Sequence, residues 1–61
     1  MKPKCKLVGT DGNVFSIIGH VSKALKESGH PEKAKEFCKK AFQQHSYDDV
    51  LRLCSDYVEV V

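Results

Sequence analysis

The 61-residue sequence has no Trp, a single Arg and a single Met, and only five aromatic residues. Each shortage excludes something. With one Arg the chain lacks the side chain that most often reads guanine through paired hydrogen bonds. No two of its three Cys (Cys5, Cys38, Cys54) and no two of its three His (His20, His30, His45) stand close in sequence. The two-to-four-residue ligand pairs of structural zinc sites are therefore missing, and no metal is expected. An odd number of Cys cannot close a complete internal disulfide framework. No apolar run approaches the roughly 20 residues that span a bilayer, so no membrane insertion is expected. The basic start Met1-Lys2-Pro3-Lys4 is not followed by the apolar stretch of a secretory signal, which predicts a cytoplasmic protein with reduced thiols. Neither G-x-x-x-x-G-K-[ST] nor G-x-G-x-x-G is present.

What is present is a set of periodic apolar positions. Lys4-Cys5-Lys6-Leu7 alternates charged and apolar residues, which reads as a short strand with Cys5 and Leu7 inward. Gly9-Thr10-Asp11-Gly12-Asn13 is a dense turn signal, with Asp11 or Asn13 placed to cap a helix. A first helix is expected from Val14 to Ser28. Its stripe comprises Val14, Ile17, Ile18, Val21, Ala24 and Leu25, with Phe15 to one side and His20 half-buried at the edge. Gly19 inside this helix predicts the close approach of another backbone, and Gly29 its termination. Pro31 opens a second helix, whose apolar positions are Ala34, Phe37, Cys38, Ala41 and Phe42. Ser46 opens a third through Ser46-Tyr47-Asp48-Asp49, a variant of the capping box. Its stripe is Tyr47, Val50, Leu51, Cys54, Tyr57 and Val58. The β-prone Tyr57-Val58-Glu59-Val60-Val61 then predicts a closing strand.

The expected fold is thus one small α+β domain over residues 1–61: an N-terminal strand, a three-helix core and a C-terminal strand pairing with the first. Lys4 and Lys6 would share a face with Glu59, while Val58 and Val60 point at the helices. The direction of pairing stays open.

The run from Lys6 to Gly19, together with Tyr47-Asp48-Asp49-Val50-Leu51-Arg52 and Tyr57-Val58-Glu59-Val60, resembles a family of short bacterial and phage-encoded hypothetical proteins. The resemblance spans most of the chain. It implies a free-standing small protein and transfers no catalytic residue.

Charge is placed unevenly. Residues 1–45 carry nine Lys against four acidic residues, net +5, and residues 46–61 carry one Arg against four, net −3, giving the overall +2. The basic part offers a nucleic-acid reading, weakened by the modest net charge and by Glu32 at the head of the second helix. The glycine-rich loop before the first helix has an anion-site position, but Asp11 stands where an anion would sit. A pocket of 300–1,000 Å³ is hard to form in so short a chain, so an enzyme is not expected. No cofactor is expected either. The reading that remains is a non-enzymatic interaction or accessory protein, binding a protein partner or a second copy of itself. Weak nucleic-acid binding through the lysine-rich face is the alternative. The candidate interaction residues are Phe15, Lys23, Lys26, Lys35 and Lys39.

Overall fold

The structure, a computed structural model, describes residues 2–7 and 13–61. In chain order it comprises β1 (Lys4–Cys5), α1 (Val14–Glu27), α2 (Pro31–Ala41), α3 (Tyr47–Tyr57) and β2 (Glu59–Val60). This is the α+β arrangement expected, with the two terminal strands paired.

Local chemistry sets the helix ends. The extended Asn13 caps α1: its side-chain oxygen accepts from the Phe15 N–H at 2.8 Å, satisfying one of the unpaired donors of the first turn. Residues 9–12, which hold the expected turn, the alternative cap Asp11 and the anion-loop position, lie outside the described residues. At the other end Gly29 takes φ +83°, a left-handed conformation that costs glycine nothing sterically. The Gly29 N–H donates to Lys26 O and the His30 N–H to Leu25 O, the paired bonds of a Schellman terminus. Pro31 then occupies the first turn of α2, where a missing N–H is harmless. Glu32 lies at the positive end of that helix, with Lys39 and Lys40 at the negative end. Ser46 caps α3 by accepting from the Asp49 N–H at 3.1 Å, with Asp48 and Asp49 in the first turn.

The strands pair in parallel, Lys4 opposite Glu59 and Cys5 opposite Val60. The Glu59 N–H donates to Pro3 O at 2.8 Å and the Val61 N–H to Cys5 O at 3.0 Å. Parallel pairing requires a crossover, and here the three helices provide it. Lys4 and Glu59 sit opposite, as the charge pattern suggested.

The core is one cluster. Ile17, Ile18, Val21 and Leu25 of α1 meet Ala34, Phe37 and Ala41 of α2, Val50 and Cys54 of α3, and Cys5 and Val58 at the strand ends. Phe37, fully buried, is its largest side chain, and the Tyr57 ring packs edge-on against it at 5.4 Å.

Five positions differ from the sequence reading. Gly19 is exposed, and a Cβ built on it would meet no atom of the described residues within 4 Å, so none of the described backbone approaches there. It is a helical glycine without a packing role. His20 is exposed rather than half-buried, its Nδ1 donating to Ser16 O at 2.8 Å. Phe42 falls one residue past the end of α2. There the 100° step per residue carries it off the buried arc, which Ala34, Phe37 and Ala41 already fill. Tyr47, at the first position of α3, reaches past the core. Val58 is buried and Val60 is not. The strand is only two residues long, and Val58 is held by the end of α3 through its N–H to Cys54 O rather than by strand alternation.

Candidate interaction surface

The exposed aromatic residues converge on one place. Phe15 near the start of α1 stacks on Phe42 past the end of α2, ring centroids 5.9 Å apart and planes tilted by 37°. Phe15 is 65% exposed, Phe42 62% and Tyr47 43%. Taking roughly 200 Å² for each aromatic side chain, about 350 Å² of ring surface is left in water. That lies within the roughly 300–600 Å² of the largest apolar patch on a typical monomer, a size often tied to function. The rings border an open groove of about 440 Å³ whose floor includes Ile18, Ala41 and Val50, and whose rim includes Gln44, His45 and Ser46. Among the described residues no Lys, Arg, Asp or Glu lines it.

The contact between Phe15 and Phe42 also fixes how the two helices run. They are antiparallel neighbours, because the start of one meets the end of the other. On α1, Phe15, Gly19, Lys23 and Lys26 follow one another at three- and four-residue spacing and are all exposed. On α2, Lys35, Lys39 and Phe42 do the same. All five residues singled out from the sequence therefore share the outer face of the α1–α2 hairpin. Phe15 stands at the aromatic end, with Lys23, Lys26, Lys35 and Lys39 along the rest. None of these four lysines makes an ion pair among the described residues, where the pairs are Glu36–Lys40 and Asp49–Arg52. Phe42 and Tyr47 complete the aromatic cluster. By helical spacing alone both belong to buried stripes. The signal that could have separated Phe42 was its position after Ala41, next to the helix-ending Gln43-Gln44-His45.

A second cleft, of about 640 Å³, opens where Lys2 and Pro3 cross the ends of α1 and α3. It is lined by Leu25, Leu53, His30, Lys33, Asp56 and the Glu36–Lys40–Tyr57 group. Hydrogen bonding with Tyr57, then the nearby Lys40 charge, lowers the Glu36 carboxyl below its usual range. Hydrogen bonding with Tyr57, then the Glu36 charge, raises Lys40. Burial, then the hydrogen bond to Glu36, raises Tyr57. All three shifts move away from neutral pH, so the group is held as carboxylate, ammonium and phenol.

The thiols are unpaired: Cys5 and Cys54 buried, Cys38 half-buried. Burial pushes Cys54 up to about 11, with the neighbouring Cys5 adding to it. No β1 Cα lies within 8 Å of an α3 Cα, so these two thiols are too far apart to bridge without backbone movement. Among the described residues no cluster of three His, Cys, Asp or Glu could hold a metal ion. No helix there is long and apolar enough to cross a membrane.

Neither a family model, nor a curated protein, nor a solved structure matches the chain.

Proposed function

We propose that this chain is a small non-enzymatic interaction protein of the reducing cytoplasm, and that it binds a protein partner through the outer face of the α1–α2 hairpin. The observation that carries the reading is the convergence of Phe15, Phe42 and Tyr47 on a groove lined by no Lys, Arg, Asp or Glu among the described residues. Aromatic residues in a desolvatable pocket are the usual anchors of protein interfaces. Exposing them without a partner carries an aggregation hazard. Three unpaired thiols fit a reducing compartment.

The test is photo-crosslinking in cells, with a photoreactive phenylalanine analogue at position 15 and a control at position 52. Discrete protein adducts from position 15 that disappear with Phe42→Ser, and are absent from position 52, are the expected result. Equal labelling from both positions, or none from position 15, refutes the reading. Adducts to nucleic acid would favour the alternative function.

A further inference from the structure

The hairpin face is divided into two chemically distinct parts. One end is a largely apolar groove that no Lys, Arg, Asp or Glu of the described residues lines. The rest is a row of four lysines with no ion-pair partner among the described residues. We propose that this face takes an acidic peptide segment of a partner protein. One apolar side chain of the segment sits in the groove beside Phe15 and Phe42, and its carboxylates run along Lys23, Lys26, Lys35 and Lys39. The proposal rests on the protein-interaction reading above and names the chemistry of the partner.

Charge complementarity points to this occupant. The carboxylates bordering the lysine row are Glu27 and Glu32, both next to the helix connection. Four lysines against two glutamates leave the face at net +2. Glu36, the other carboxylate of α2, follows Glu32 on the same helical row and is engaged by Lys40 at 3.6 Å and by Tyr57. Nothing else in the described part of the hairpin neutralises the row. An acidic segment would be steered to it and held in register by it. A row of lysines alone would suit any polyanion, and the groove is what discriminates. A groove of about 440 Å³ exceeds the roughly 150 Å³ of a cavity that takes a benzene ring, so an aromatic or branched aliphatic side chain fits. The phenyl rings pack on each other at a 37° tilt. Together they border the groove at its aromatic end. The single Arg of the chain, Arg52, is on α3 and paired with Asp49.

The experiment is selection of a random short-peptide library on the immobilised 61-residue chain at low salt, followed by affinity measurement of the selected peptides. Enriched peptides should combine Asp or Glu with at least one Leu, Phe or Ile. Their binding should fall about tenfold or more with Lys35→Glu/Lys39→Glu and equally with Phe15→Ala, and should weaken steeply as salt rises. Selection on the Lys35→Glu/Lys39→Glu protein should remove the acidic bias. Circular dichroism would establish that these exposed-residue variants remain folded. Apolar peptides without acidic bias, still dependent on Phe15, would overturn the inference while leaving the protein-interaction reading intact. No enrichment, or enrichment indifferent to Phe15, would overturn both. Tighter binding of a thymidine oligonucleotide than of any selected peptide would overturn the inference in favour of nucleic acid. A concentration-dependent dimer whose formation blocks the groove would do so in favour of a second copy.

Discussion

Replacing Gly19 by Ala separates two accounts of the same residue. A glycine inside an amphipathic helix suggests a close backbone contact, and on that account the added methyl clashes and destabilises. The structure gives the opposite sign. Gly19 is exposed in the middle of α1, and a Cβ there would meet nothing within 4 Å. What remains is intrinsic preference: glycine in a helix interior is about 1 kcal/mol less favourable than alanine, largely because the unfolded chain gains so much freedom. Gly19→Ala should therefore stabilise by about 1 kcal/mol. For a domain of about 60 residues that corresponds to a rise in Tm of about 5–8 °C. Gly29→Ala is the internal control. It too meets nothing within 4 Å, but at φ +83°. A left-handed conformation costs an L-residue roughly 1–2 kcal/mol, so Tm should fall by a comparable amount. Thermal unfolding followed by far-ultraviolet circular dichroism, with urea denaturation as a second measure, reads both signs. A lower Tm for Gly19→Ala would mean that another group packs against that face of α1 and would refute the reasoning.

Removing the α3 cap with Ser46→Ala should cost about 0.5–2 kcal/mol, seen as a lower urea midpoint, because the Asp49 N–H loses its acceptor. Alkaline stability follows from the thiols. The folded pKa of Cys54 is raised from 9.0 to about 11, so the unfolded chain loses this proton first. The stability held below pH 9 should then decline between about pH 9 and 11. The raised Cys5 thiol adds to the same slope. Cys54→Ala should flatten the decline in a series of urea titrations across that range, and an unchanged slope would show that the thiol is not its source. Under native conditions a thiol reagent should label Cys38 first, with Cys5 and Cys54 reacting at the rate of unfolding.

Most of the fold is written in local patterns. Asn13 and Ser46 are short polar side chains ahead of apolar periods, Gly29 and Pro31 are a stop followed by a start, and each works in the structure as such signals work in isolated helices. The buried stripes of Ile17, Val21 and Leu25, of Ala34, Phe37 and Ala41, and of Val50 and Cys54 follow from the helical period alone. The lysine rows were legible for the same reason. Tertiary structure decided what periodicity leaves undetermined. Whether β1 and β2 run parallel depends on how three helices return the chain. Whether Phe42 and Tyr47 are buried depends on where their helices end relative to a core already filled by other side chains. The approach of Phe15 to Phe42 follows from the antiparallel packing of α1 on α2. A sequence specifies which arc of each helix is apolar through one-dimensional spacing. Which apolar residues are left over at the surface is a property of three-dimensional packing, and the interaction surface of this protein is assembled from those left over.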